Sequence, residues 1–464
     1  MSDRIVHRGK RRRRKRRNTG LRTLVIALSV VLVILCIVAA CMDGRQDATL
    51  QGSTPSTNAP TEPEVTLTEP PTDPAIKKVS AATIGATGDI LMHDAVIKSG
   101  LDKATGTYNY DDIFQYFSKC VSQVDFAVAN LEVTLCSNTN GYKYQGYPRF
   151  NSPDSIVDAL KNAGFDMLLT ANNHTNDTGK MGFARTQQVI RDAGLVHIGT
   201  RPALEDKNYY VADINGIKVG MINYTYNTSI RDDGSVALNG LPLILENSKL
   251  VNSFNYNHLD DFYSKLSGEI DAMREDGAEA IMLYIHWGSE YKTKENATQR
   301  KMAQQLCNLG IDVIVGNHAH VPQPVTLLTN ENDETKKTLC LYSTGNAVAN
   351  IRRNEKGTAH VEDGMLFTVT FAKYSDGTVL VESTRVIPTW VYRYKENGVY
   401  QYRVLSMDGT EEDWKNHMNL SDELLALCRE SSARTEKVIG AGIAEATQYF
   451  TDNQREVEAA LGVD

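Results

Sequence analysis

From Ala81 onward, short apolar runs alternate with amphipathic stretches of helical length, and run after run stops on a cluster of polar side chains. The runs predict strands over Ala82–Leu91, Phe126–Leu135, Met167–Ala171, Lys218–Tyr224, Ala280–His286, Val313–Gly316 and Leu339–Ser343. Between several of them, helices are expected over Pro153–Ala163, Gly182–Ala193, Leu259–Asp276 and Asn296–Leu309. Ser152-Pro153 reads as a helix cap followed by the first helical position, and Gly164, Gly194, Gly277 and Gly310 stand where helices stop. Strands alternating with helices select an α/β domain. Residues 365–405 read as strands and hairpins that close the sheet, so the domain is placed at 81–405, followed by a helical tail over 406–464.

The polar clusters share one topological position. Thr87-Gly88-Asp89 ends the first run, Asn130-Leu131-Glu132 interrupts the second, and Ala171-Asn172-Asn173-His174 follows the third. His286-Trp287-Gly288, Gly316-Asn317-His318-Ala319-His320 and Gly345-Asn346 follow later ones. In open α/β sheets, ligands bind beyond the carboxyl ends of strands. An Asp, a Glu, an Asn and several His are oxygen and nitrogen donors that suit Mn, Zn or Fe, singly or as a pair, without the thiolates of a structural zinc site. In His318-Ala319-His320, an i, i+2 spacing on an extended segment would direct both rings to one side. A lone His at a strand end is ordinarily a hydrogen-bonded core residue. His174, His286, His318 and His320 together point to a metal.

The ordered series Gly-Asp-Ile, Asn-Leu-Glu, Ala-Asn-Asn-His, His-Trp-Gly, Gly-Asn-His-Ala-His-Val-Pro-Gln and Ser-Thr-Gly-Asn, spread over residues 81–350, resembles the CapA family of capsule and poly-γ-glutamate synthesis proteins. That family is similar in turn to the calcineurin-like metallophosphoesterases. The resemblance implies a four-layer αββα sandwich of two mixed sheets. It also implies Asp89, Glu132, Asn173, His286, His318 and His320 as metal ligands, and His174 as the acid that protonates a leaving group. Two departures from the phosphatase pattern stand out: Asp89-Ile90-Leu91 lacks the His of Asp-x-His, and Glu132 stands where those enzymes have Asp. One metal position would then be short of a ligand. His93 is expected to line the pocket. Arg149, in Tyr147-Pro148-Arg149-Phe150, offers a donor fork suited to an anionic substrate or a surface ion pair. Asn346 is expected near the substrate, and Arg352-Arg353 are weaker candidates. Tyr142, Tyr144 and Tyr147 could stack on a polymer or pack as a loop.

Ahead of the domain, residues 1–22 hold eleven Lys/Arg and one acidic residue, and the remainder holds 38 basic and 56 acidic side chains. Leu24–Met42 is an uncharged apolar run of nineteen residues, about 28 Å as a helix, close to the hydrocarbon thickness of a bilayer. A basic head of residues 1–23 before a spanning segment is a topology signal with its N-terminus inside, and the acidic remainder excludes reading the chain as a nucleic-acid binder. The expectation is one N-terminal transmembrane helix with the domain extracellular. The alternative is a lipoprotein signal ending in Val38-Ala39-Ala40-Cys41, with Cys41 lipidated. Residues 43–80, rich in Thr, Pro and acids, read as a disordered tether. Beyond Cys36 and Cys41 of the apolar run, the five other cysteines have no metal-type spacing and support no disulfide framework, Cys120 with Cys136 being the first pair to test.

Two functions compete. One is a metal-dependent hydrolase or transferase acting on an anionic polymer or phosphoester. The other is a non-catalytic accessory that binds a polyanion such as poly-γ-glutamate for membrane synthase or export subunits. No P-loop is present for an ATP-driven ligase, and no Gly-x-Ser-x-Gly elbow for a serine nucleophile.

Overall fold

The computed structural model describes residues 76–460. The basic head, the apolar run 24–42 and nearly all of the expected tether lie outside the described residues. Among the described residues no helix is long and apolar enough to cross a membrane.

Two mixed sheets carry the domain. In the first, β1 (Lys78–Ile90), β2 (Phe126–Leu131), β3 (Met167–Leu169) and β4 (Val196–Ile198) are parallel neighbours in that order. In the second, β5 (Ile217–Tyr226), β6 (Ala280–His286), β7 (Val313–Asn317) and β8 (Lys337–Leu341) are likewise parallel. The chain then returns to the first sheet. There β9 (Asp363–Tyr374), β10 (Val379–Glu396) and β11 (Val399–Ser406) extend it antiparallel from the other side of β1. Strands buried on both faces read as continuous apolar runs rather than as alternation. That is why these segments stood out in the sequence.

Three apolar clusters order the layers. Ile84 and Val128 of the first sheet meet Met221, Met282 and Val315 of the second in a core between the sheets. On the outer face of the first sheet, Ile156 and Leu160 of α1 (Ser155–Asn162) and Ile190 of α2 (Gly179–Asp192) cover Ala127 and Leu168. On the outer face of the second, Leu266 and Ile270 of α3 (Leu259–Glu275) and Met302 and Leu306 of α4 (Ala297–Asn308) cover Leu283 and Ile314. The result is the expected αββα sandwich. At the start of α4, the Asn296 side chain accepts from the Gln299 amide while the Gln299 side chain accepts from the Asn296 amide, a reciprocal cap.

Three local expectations are corrected. Ser152 is not a helix cap: its amide donates to Thr134 O, which holds it extended, and α1 begins at Ser155 after Asp154. β2 ends at Leu131, because the chain leaves the sheet and Thr134 bridges to Asn151 instead. The segment read as a tail contains α5 (Asp422–Ala460), which is built into the domain. Its Ile439, Ala446 and Phe450 belong to the core between the sheets. Its Ser431 and Arg434 bind the buried Asp363 carboxylate. A Cβ at Gly442 would come within 1.8 Å of Val325 O, so only glycine allows the helix to lie this close to the second sheet's edge strand.

Candidate metal centre

Register brings the polar strand ends together. At the end of β1, Asp89 lies beside Asn130 of β2 and Asn346 of the short strand Asn346–Val348. The pairing is irregular at Asp89 on both sides, the kind of local kink that re-aims a side chain beside a site. In the second sheet, His286 ends β6 between Thr225 and Asn317. A Cβ at Gly88 would lie 2.0 Å from Gly345 O, so glycine there lets the Asp89 amide reach Gly345 O at 3.1 Å.

The side chains of both sheets meet in one buried cluster. Ligand atoms of Glu132, His318 and His320, and of Asp89, Glu132 and His286, each lie within 4.8 Å of one another, with Glu132 common to both groups. His286 Nε2 is 2.7 Å from Asn173 Oδ1, 3.1 Å from His318 Nδ1 and 3.4 Å from Glu132 Oε1. One ring nitrogen with one hydrogen cannot satisfy three such neighbours. Glu132 is fully buried, and neither carboxylate oxygen has a hydrogen-bond partner. A buried charge left in that state is costly unless it is paired or coordinates a metal. The donor set therefore fits one or two divalent cations, and a shared carboxylate at Glu132 suits a pair.

The surrounding residues set ring orientation and charge. His320 Nδ1 lies 3.0 Å from Asp89 Oδ2 and 3.1 Å from Asn346 Oδ1, which leaves Nε2 turned toward Glu132 at 3.9 Å. This is the carboxylate–histidine arrangement that fixes a ligand's tautomer. Asn130 donates to Asp89 Oδ1 and in turn accepts from Asn172. Burial, followed by the neighbouring His320 and His174, holds the His286 imidazole well below its usual range. Burial and then His286 do the same for His318, so both rings stay neutral and able to donate a lone pair. Burial opposes protonation of His320, but the hydrogen bond and charge of Asp89 outweigh it and shift that ring upward. Burial, then the charges of Asp89 and Glu290, pushes the Glu132 carboxyl well above the usual range. A cation would reverse that last shift.

The His318-Ala319-His320 segment corrects its own expectation. It is not extended: His318 has φ 90° and His320 φ 55°, both in the left-handed region that costs a non-glycine residue about 1–3 kcal/mol. The turn, rather than strand alternation, brings the two rings to one site, with centroids 6.0 Å apart.

His174 and His93 line a cavity of about 310 Å³ beside the cluster, together with His320, Tyr147, Glu290 and Tyr291. His174 Nδ1 lies 2.7 Å from Asp177 Oδ2, which also accepts from the Phe150 amide. Phe150 packs edge-on against both the His174 and His93 rings. Burial lowers His93 to about 4, and its Nδ1 accepts from the Asn350 amide. Four candidate substrate residues are placed otherwise. Asn346 is fully buried, donating to His320 O and Val361 O. Arg149 is exposed and stands outside the cavity wall. Arg352 and Arg353 both pair with Glu362. Of the tyrosines, Tyr144 packs on Tyr108, while Tyr147 is 75% exposed at the cavity. The five described cysteines are buried free thiols, Cys120 and Cys136 included. Sequence reading passed over Asp177, although its place three residues after His174 was a usable signal. It also passed over Tyr226, whose hydroxyl lies 3.4 Å from His318 Nε2 and which no motif marks.

Fold and site together define an α/β protein with a buried cluster suited to metal binding at the carboxyl ends of two facing sheets. Residues 83–351 match the family model for the bacterial capsule synthesis protein PGA_cap, and the chain belongs to that family. It is 26% identical over 303 residues to the capsule biosynthesis protein CapA of Bacillus anthracis, covering 65% of this chain and 66% of that one. It is also 26% identical over 279 residues to the PGA biosynthesis protein CapA of Bacillus subtilis (strain 168), covering 59% and 66%. The match thus spans slightly under two thirds of either relative's length. Among solved structures, one from Staphylococcus aureus assigned as a 5'-nucleotidase, in complex with alpha-ketoglutarate, overlays with a TM-score of 0.38 at 14% identity, covering 67% of this chain and 54% of that one. The protein TT1561 of Thermus thermophilus overlays with a TM-score of 0.30 at 8% identity, covering 62% and 94%.

Proposed function

We propose that this chain is a membrane-anchored, extracytoplasmic component of capsule or poly-γ-glutamate production that acts as a metal-dependent hydrolase or transferase on an anionic polymer or phosphoester. The observation that carries the reading is Glu132, a fully buried carboxylate without a hydrogen-bond partner, set among Asp89, His286, His318 and His320. Family membership supports the capsule role, and the basic head before an apolar run supports the anchor with the domain outside. A divalent ion held by these residues would activate water and polarise the bond under attack.

The chain's own groups supply the rest. Asp177 holds the Nδ1 side of His174, so its Nε2 is left to carry a proton to the leaving group. His286 and His318, kept neutral, offer lone pairs instead of repelling a cation. The walls of the adjoining cavity hold the substrate beside them. The test uses the full-length chain. Bound metal is measured, and hydrolysis of phosphoesters and of γ-glutamyl amides is assayed side by side, in wild type and in Asp89→Ala and His318→Ala. Both variants are expected to lose metal and turnover together, and turnover retained in both would refute the reading. Metal bound without turnover on either substrate class would favour the accessory role, in which the same site grips a polyanion for separate synthase or export subunits.

A further inference from the structure

Tyr226 is the last residue of β5 and lies one position beyond Thr225, the register partner of His286. Its ring centroid is 5.1 Å from that of His318 and 6.0 Å from that of Tyr256. Tyr256 is fixed in turn. Phe254 stands edge-on to it at 5.2 Å, and its hydroxyl accepts from the Gly288 amide at 3.0 Å. A row of rings thus runs from the short strand Ser253–Phe254 to the turn that carries His318. The turn needs such a brace. His318 sits at φ 90°, a conformation that persists only where its surroundings hold it.

The two ring nitrogens of His318 face different groups. Nδ1 lies 3.1 Å from His286 Nε2, inside the cluster. Nε2 lies on the other side of the ring, 3.4 Å from Tyr226 Oη. Among the described residues neither nitrogen has another hydrogen-bond partner. A neutral imidazole carries one hydrogen. Placed on Nδ1, it would occupy the lone pair that a cation between Glu132 and His286 needs. Placed on Nε2, it leaves that lone pair free and requires an acceptor outside. For His320 the outer partners are Asp89 and Asn346. His318 has no carboxylate or amide there among the described residues, and the phenol oxygen of Tyr226 stands in that place.

We propose that Tyr226 is a positioning residue: its ring braces the strained turn and its oxygen accepts the His318 Nε2 hydrogen, so that Nδ1 offers its lone pair to the metal. The role rests on the metal reading of the cluster and not on turnover. To test it, the full-length chain is stripped with chelator and titrated with Mn(II) and with Zn(II) against a competing chelator. Tyr226→Phe keeps the ring and removes the acceptor. It should raise the metal dissociation constant about tenfold to a hundredfold, with the thermal midpoint of stripped protein retained. Tyr226→Leu, which removes the brace as well, should raise the constant further and lower that midpoint. Nitrogen NMR of the His318 ring in stripped wild type should find the hydrogen on Nε2, and in Tyr226→Phe a smaller share of that tautomer. Packing alone would not move the tautomer. An unchanged dissociation constant in Tyr226→Phe overturns the role of Tyr226 and leaves the metal centre standing. So does a hydrogen found on Nδ1 in wild type, a result that decides even if a variant fails to fold. If wild type takes up neither ion, the metal reading fails and the role of Tyr226 fails with it.

Discussion

Replacing Glu132 by Gln should change stability in opposite directions with and without metal. Without a cation the carboxyl is fully buried and neither oxygen has a hydrogen-bond partner, His286 Nε2 standing off at 3.4 Å, a state that costs about 1–3 kcal/mol. Gln keeps the shape and removes the charge. The chelated variant should therefore be at least as stable as wild type, by up to about 2 kcal/mol. With a divalent ion at a hundredfold excess over its dissociation constant, wild type gains about 2.7 kcal/mol. The variant, lacking the ligand common to both halves of the cluster, should recover less than half of that gain. The pH dependence carries its own sign. Because the Glu132 carboxyl is shifted upward in the fold, the folded chain binds the extra proton between the unfolded and folded values. Its contribution is then complete below about pH 4.3 and is lost as pH rises through the folded value. Denaturant unfolding of the full chain, with chelator and with Mn or Zn across pH 4–8, reads both effects. If Glu132→Gln destabilises chelated protein while keeping the full metal gain, the carboxylate is held by protein contacts and the argument for a cation fails.

Two other outcomes follow from geometry. Gly88→Ala would drive a Cβ to 2.0 Å from Gly345 O. It should cost about 1–3 kcal/mol and lower metal content by displacing Asp89, read by thermal unfolding and metal analysis. Asp177→Asn keeps an acceptor for the Phe150 amide but releases the His174 tautomer. Turnover should fall about a hundredfold or more with a shifted pH profile and unchanged metal content, whereas an unaltered profile would reduce Asp177 to a packing role.

Much of the site was legible because its residues end apolar strands. A strand buried on both faces shows as an unbroken run, and Asp89, Glu132, His286 and the His318–His320 pair sit where such runs stop. What stayed hidden depends on the chain doubling back. Nothing local to Asn346 says that its amide will be spent on His320 O, nor anything local to Arg352 that Glu362 waits for it. The left-handed turn at His318 and His320 has no glycine to announce it. The helix cap at Ser152 failed because a backbone bond to Thr134, eighteen positions earlier, overrode a good local pattern. Residues after 406 looked like a tail because α5 mixes Gly, Ala and polar residues, and its apolar positions make sense only against two sheets.

That last helix has a consequence for how the chain is made. Ile84, on the first strand, and Phe450, near the end of α5, are members of the same buried cluster. The cluster thus joins elements from the two ends of the domain, and a core completed across so long a stretch of chain forms late and slowly. While the ribosome is still adding the final forty or so residues, the apolar faces meant for α5 have nothing to cover them. The nascent domain would then need shielding, or a delay in collapse, until its C-terminus emerges. A premature stop before α5 would therefore leave an open, aggregation-prone core rather than a smaller working protein.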